Sequence, residues 1–237
     1  MNNMPTLYLI PVPVSEDPQL TTLPQATLLV MKELNYFVVE NAKVARKHLK
    51  GLNLEKPISS LLISELSQDT DEKELELMLS PLSQSHSIGL MSDAGCPAVA
   101  DPGAKLVALA QKKNITVVPL VGPSSIILSL MASGLNGQRF CFSGYLPVKE
   151  DEKRQQLQLM EKRSKQHSET QIFIETPYRN QVMFNTLLSV LHVETLLTVS
   201  FNVTAKGQTT QTKTIRQWRL TPMVLEKSPA IYLFLAQ

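Results

Sequence analysis

Three short polar segments hold most of the side chains that could do chemistry. The first runs Ser92-Asp93-Ala94-Gly95-Cys96-Pro97-Ala98-Val99-Ala100-Asp101-Pro102-Gly103, with two aspartates, two prolines, two glycines and no aromatic or long side chain. The second is Gly122-Pro123-Ser124-Ser125, and the third is Glu175-Thr176-Pro177-Tyr178-Arg179. Small residues let a backbone come close to a ligand, and glycine adds access to positive φ. No basic side chain follows Ser92 until Lys105, so a ligand of the first segment would be neutral or cationic, met by backbone groups and a carboxylate. A second reading fits the same residues: Asp101 caps the following helix with Pro102 at its first position, and the stretch is a turn with no ligand. Ser124 and Ser125 divide in the same way, between a polar patch at a helix start and a plain cap.

Several chemistries have no support. There is no GxGxxG for a dinucleotide and no GxxxxGK[ST] for a triphosphate. His48, His86, His167 and His192 lie on charged helices or helix ends, outside any Ser-His-Asp pattern. No HExxH or His/Cys cluster suggests a metal, and Cys96 and Cys141 make no disulfide framework. The Asp71 to Glu76 run reads as an acidic helix start. Three polar loops without an evident nucleophile suit a reaction in which a cofactor brings the reactive group and the protein orients it. Methyl transfer from S-adenosylmethionine, an in-line displacement at a sulfonium, is such a reaction.

The elements that must position these loops can be read from the apolar pattern. Strands are expected at Leu7 to Val12, Tyr36 to Glu40, Leu61 to Ser64, Ser87 to Met91 and Thr116 to Leu120. Helices fall between them: Pro24 to Leu34, one capped by Asn41 and ended near Gly51, Asp71 to Leu82, and Leu106 to Lys113. A loop is expected at Ser15-Glu16-Asp17-Pro18. The strand runs are continuously apolar, which argues for parallel βα units covered on both faces. Each polar loop follows a strand, the usual ligand edge of an open α/β sheet. If the strands are parallel, all three loops share one edge.

From Asn136 the pattern changes. Phe140 to Tyr145, Gln171 to Glu175, Thr195 to Phe201, the Thr/Gln-alternating Gln208 to Ile215 and Ala230 to Leu235 read as strands. Lys149 to His167 is a charged, mostly solvated helix whose apolar residues are Leu157, Leu159 and Met160. The fold class expected is α/β, in two α/β domains with a ligand cleft between them. The first domain is residues 1–121, doubly wound; the second is residues 122–237, mixed, beginning with a short linker helix over 123–135.

Length and composition agree with that class. The chain has 237 residues, 43% hydrophobic and 19% charged, with a formal net charge of +2. This charge is too small to argue by itself for nucleic acid or an anionic membrane. The start, MNNMPTLYLIPVPVSED, lacks a signal peptide's basic region and apolar core. The apolar stretch 115–135 is broken by Pro119, Gly122 and Pro123, so no spanning helix is expected. A reducing cytoplasm is the simplest location.

The motif SDAGCPAVADPG, with VGPSS some 20 residues on, resembles the SDAGTP, SDPG and GPS signatures of the tetrapyrrole methylase superfamily. Within it the chain is most similar to the ribosomal RNA small-subunit methyltransferase I branch, cytidine 2′-O-methyltransferases. LYLIPVPV resembles that branch's LYLVPTPIGN strand, FIETPYR its YESPHR segment, and NVTAKGQTTQTKTIRQW its second-domain strand pair. The resemblance implies the two-domain tetrapyrrole methylase fold, S-adenosylmethionine as cofactor, a homodimer and ribosomal RNA as partner, with no metal and no membrane. Carried over by position, it puts Pro11 at the close of the first strand. Asp93, Ala94, Gly95, Val99 and Ala100 would line the methionine and ribose. Ser124, Ser125 and Ile126 would meet the cofactor from a helix start, and Pro177 and Tyr178 from the second domain. Asn202 to Ala205 and Pro229–Ala230 would close around the adenine. Asp93, Glu175 and Lys206 are the candidates for proton transfer.

The chain departs from the pattern in four places. PVSED replaces the glycine-bearing loop after the first strand, and Tyr178 stands where the branch has His. FNVTAKG lacks the Arg of the ARELTK-type segment. The branch usually continues into a small helical domain, whereas this sequence stops at the last strand. Two alternatives therefore stay open: methylation of a tetrapyrrole-like small molecule, and binding of cofactor or RNA without turnover. Lys32, Lys43, Arg46, Lys47 and Lys50 read either as a basic helix face for phosphates or as a solvated surface.

Overall fold

The computed structural model describes residues 4–15, 22–225 and 227–237. Glu16, Asp17 and Pro18 of the expected loop lie outside the described residues. The chain divides into two compact units, Met1–Ser124 and Ser125–Gln237.

The first unit has five strands, β1 (Thr6–Ile10), β2 (Tyr36–Val39), β3 (Leu62–Glu65), β4 (Ile88–Met91) and β5 (Thr116–Pro119). Its helices are α1 (Gln25–Glu33), α2 (Ala42–Lys50), α3 (Glu72–Ser83) and α4 (Gly103–Lys112). The strand order is β3-β2-β4-β1-β5 and every pairing is parallel. The chain moves one way across the sheet through α1 and α2, then back through α3 and α4. Right-handed crossovers then place the two helix pairs on opposite faces. Two cores result. Ile10, Met31, Phe37 and Leu49 pack on one side, and Leu7, Val38, Leu79, Leu90 and Leu106 on the other. In β1, β2 and β4 residues on both faces are buried or half-buried, which is why these strands read as unbroken apolar runs, whereas the edge strands β3 and β5 are exposed or half-buried. Asn41 Oδ1 caps α2 by accepting from the Lys43 and Val44 N–H groups. Asp71 and Glu74 form a reciprocal capping box at α3.

The second unit contains β6 (Phe140–Tyr145), β7 (Thr170–Glu175), β8 (Leu196–Phe201), β9 (Thr209–Thr214) and β10 (Ala230–Leu235). They are ordered β6-β7-β10-β8-β9, with β6 and β7 parallel and the other pairs antiparallel. Helices α6 (Glu150–His167), α7 (Asn180–Val190) and α8 (Ile215–Leu220) cover one face over Phe173, Phe184, Trp218, Tyr232 and Phe234. The segment expected as a linker helix is α5 (Ser125–Ser133), which packs within this unit against β8, β9 and β10.

Two details differ from the sequence reading. In α6 the buried stripe is Lys153, Leu157, Met160 and Ser164, while Leu159 is exposed. The stripe follows the i, i+4, i+7, i+11 spacing, and Leu159 falls off it. Lys153 is tolerated there because its Nζ donates to Glu150 Oε2 at 2.7 Å. The second difference is α8, a helical turn in a stretch with no expected helix. It is started by a Thr214–Gln217 capping box and anchored by Trp218 Nε1, which donates to Leu197 O at 2.8 Å.

Candidate active site

In the first unit, parallel pairing brings the loops after β1, β4 and β5 to one sheet edge, and hydrogen bonds knit them together. Val12 N donates to Gly95 O at 2.9 Å, and Gly95 N returns to Val12 O at 3.2 Å. Gly95 has φ +72°, where a Cβ is strained. Cys96 Sγ lies 3.5 Å from Pro123 O. At Gly122 a Cβ would sit 2.3 Å from Pro11 Cβ, so only glycine lets the β1 and β5 exits come this close. Pro11, Gly95 and the start of VGPSS, separate motifs in the sequence, are thus neighbours. Ser124 ends this unit.

The loop after β4 is held in an unusual shape. Ala98 and Ala100 have φ of 65° and 58°, costly for residues other than glycine. Asp101 holds that shape: its Oδ1 accepts from Ala98 N at 2.8 Å and from Gly103 N at 2.6 Å. The second bond satisfies the first N–H of α4, but the helix starts at Gly103 with Pro102 at the cap position and no side-chain cap there, so Asp101 sits one residue before the cap position rather than at it. Val99 and Ala100 are left exposed at the crest of the loop.

Asp93 sits among other carboxylates. Its N–H donates to Glu40 Oε2 at 3.2 Å, and its carboxylate accepts from the Asn41 N–H. Burial, then Glu40 and Asp101, push its carboxyl above the ordinary aspartate value, with Glu65 adding to the rise. Burial also raises Asp101, more than its two N–H donors lower it. No salt bridge among the described residues engages Asp93, Glu40 or Asp101. The sheet edge is therefore locally negative.

His48 joins the site although its sequence context gives it no role there. It is buried on the inner face of α2, and its Nε2 lies 3.4 Å from Asp93 O. A carbonyl only accepts, so Nε2 carries the proton. Nδ1 is then a buried acceptor with no partner among the described residues. Burial lowers the imidazole below its ordinary value, so the ring is neutral. A signal for its burial is present in the sequence: His48 follows Ala42 and Ala45 at helical spacing, on the face opposite Lys43, Arg46 and Lys50. Glu40 and Glu65, at the ends of β2 and β3, are further members that no motif marks; Glu65 Oε1 accepts from Ala42 N at 2.7 Å.

In the second unit another set converges. Ala230 stands opposite both Glu175 and Phe201 in the sheet register. Asn202 N donates to Pro229 O at 3.3 Å, and Ala205 N to Asn202 O at 2.8 Å. Asn202, Ala205, Pro229 and Ala230 are thus close together, and Pro177 and Tyr178 follow Glu175 in a short 3-10 turn. Thr204 Oγ1 is buried with no partner among the described residues. A hydroxyl in that state costs about 1–3 kcal/mol, so this turn fits a polar ligand. Lys206 is exposed on the same turn. Ser125 and Ile126 open α5, with Ile126 packed against Leu130, Ile172 and Ile231. Glu175 is almost wholly buried, and its Oε1 accepts from Thr176 N at 2.7 Å and from Arg179 Nε at 2.9 Å.

Comparison with known proteins then decides the family. The chain is 31% identical over 210 residues to a ribosomal RNA small subunit methyltransferase I from Vibrio cholerae, covering 89% of this chain and 69% of that one. It belongs to the ribosomal RNA small subunit methyltransferase I family. Members from Buchnera aphidicola and Escherichia coli O157:H7 are each 30% identical, with 69% and 62% of their lengths covered. As a member of this methyltransferase I family, the chain is a methyltransferase. Its fold is also that of a uroporphyrin III C-methyl transferase from Thermus thermophilus, with a TM-score of 0.56, 14% identity and 97% of each chain covered. No protein-family model matches the chain. Among the described residues there is no group of three or more His, Cys, Asp or Glu that could hold a metal ion, and no helix long and apolar enough to cross a membrane.

Proposed function

We propose that this chain transfers a methyl group from S-adenosylmethionine to a ribose 2′-hydroxyl of small-subunit ribosomal RNA. The observation that carries the reading is the loop after β4, locked by Asp101 and bordered by carboxylates that take part in no ion pair among the described residues. S-adenosylmethionine supplies an electrophilic methyl group on a sulfonium and bears one more positive charge than its demethylated product. A negative sheet edge favours the charged form. The backbone at Ala94, Gly95, Val99 and Ala100 is assigned to the methionine and ribose.

A ribose hydroxyl is a weak nucleophile, so a proton acceptor contributes to its attack. Of the three candidates, Glu175 is committed to Arg179, and Lys206 is a surface ammonium. Asp93 has no cationic partner among the described residues, and its raised affinity for protons makes it a better base than a solvated aspartate. We assign it that role. A homodimer acting in the cytoplasm completes the proposal, and light scattering tests the oligomer.

The test is calorimetric titration with S-adenosylmethionine and its demethylated product. It is followed by methyl transfer to ribosomal RNA from cells lacking this protein. Binding of both and a labelled 2′-O-methyl nucleotide are expected. Binding with transfer only to a small heterocycle would move the assignment to a small-molecule enzyme. No binding to a folded sample would overturn it.

A further inference from the structure

The two faces of α2 point to a task for the helix beyond packing. Its inner face buries Ala42, Ala45, His48 and Leu49. Its outer face exposes Lys43, Arg46, Lys47 and Lys50, and the helix carries no acidic residue. Positions 43, 46, 47 and 50 fall at i, i+3, i+4 and i+7, which is one stripe. At 1.5 Å per residue the stripe is about 10 Å long.

Several cations on other helices are ion-paired, while Lys32, Lys73, Lys162 and Lys165 take part in no ion pair among the described residues but do not form a row free of acidic residues. Lys112 and Lys113 meet Glu72 and Glu76, Arg154 meets Glu150, Arg163 meets Glu169, and Arg216 meets Glu194. Lys43, Arg46 and Lys50 take part in no ion pair among the described residues. With a net charge of only +2, the chain is not basic overall, so this is a local concentration of positive charge. The helix is also joined to the candidate site. The Asn41 N–H at its start meets the Asp93 carboxylate, and His48 reaches Asp93 O.

Resting on the proposed function, we propose that the outer face of α2 is where the RNA substrate's phosphate backbone docks, beside the loop that carries Asp93. An anionic membrane fits less well, because the outer face offers no large apolar side chain to insert. A phosphate backbone needs only a row of exposed cations, and its binding weakens with salt in proportion to the phosphates neutralised.

The test compares the full chain with Lys43→Gln/Arg46→Gln/Lys50→Gln and with a scattered control of equal charge, Lys73→Gln/Lys162→Gln/Lys165→Gln. A labelled hairpin of small-subunit ribosomal RNA is titrated at several salt concentrations, and S-adenosylmethionine is titrated in parallel. The α2 variant is expected to lose roughly tenfold or more in RNA affinity near 0.1 M salt. Its log–log salt slope should flatten by about 2 to 3, near one for each phosphate no longer neutralised. Its cofactor affinity should match the parent's. Equal losses in the two variants, an unchanged slope, or no RNA binding by the parent would overturn the docking surface. A parent that binds RNA through α2 but transfers no methyl group would sink the proposed function and leave the docking surface standing.

Discussion

Asp93 and Glu175 both stand where a strand gives way to a polar loop, yet their surroundings are opposite. Glu175 closes β7 and meets Arg179 four residues later, so its charge is neutralised within its own turn. Asp93 follows β4, and burial first, then the neighbouring Glu40, Asp101 and Glu65 carboxylates, raise its proton affinity. The Glu175 loop is a staple, and the Asp93 loop keeps a charge in want of a cation. A carboxylate at a strand end is therefore no sign of a site by itself. What distinguishes the two is the sign of the charges that the fold brings to it.

The largest test of this contrast is Asp93→Asn, which keeps an acceptor for the Asn41 N–H and removes the charge. A charge-assisted contact contributes about 1.5–3 kcal/mol, so affinity for S-adenosylmethionine should fall roughly ten- to a hundredfold. The demethylated product, which lacks the sulfonium charge, should lose less. Calorimetry with both ligands measures the difference, and equal losses would remove the electrostatic part of the reading.

Glu175→Gln should act on stability instead. Breaking a buried pair costs about 3–5 kcal/mol. The Arg179 side chain is 26% exposed and can turn to water, so a loss of about 2 kcal/mol is expected in denaturant unfolding. A neutral result would mean that the pair is no staple.

The smallest expected effect concerns His48. Its folded-state proton affinity is lowered by burial, while in the unfolded chain it titrates near the ordinary value of about 6.5. Below that pH the unfolded state takes up a proton that the folded state resists, so stability falls as pH drops from about 6.5. Replacement by Gln, in His48→Gln, removes this contribution. Unfolding midpoints measured from pH 7 down to 5 should therefore fall less steeply in the variant than in the parent. Parallel curves would show that His48 is no buried neutral ring.

Most of the architecture is legible in the residues because its signals are local. Apolar runs mark the parallel strands of the first unit, and Asn41 and Asp71 announce the helix starts that they cap. The SDAGCPAVADPG and VGPSS motifs point to the family and to the loops of the candidate site. That Asp93 follows a strand is also local information, because Ser87 to Met91 has no helical period.

Other features need distant residues to meet. The closeness of Pro11 and Gly122 depends on β1 and β5 being neighbours, which strand order decides and composition does not. The α8 turn escapes a sequence reading because six residues carry too little periodicity, and Trp218 is fixed by a carbonyl 21 positions away. Glu40, Glu65 and His48 become part of the Asp93 environment only when parallel pairing brings the ends of β2, β3 and β4 to one edge. The sequence by itself determined which groups could ionise. Only the tertiary structure decided which charges they would face, because Coulomb interactions depend on distance in space and not along the chain.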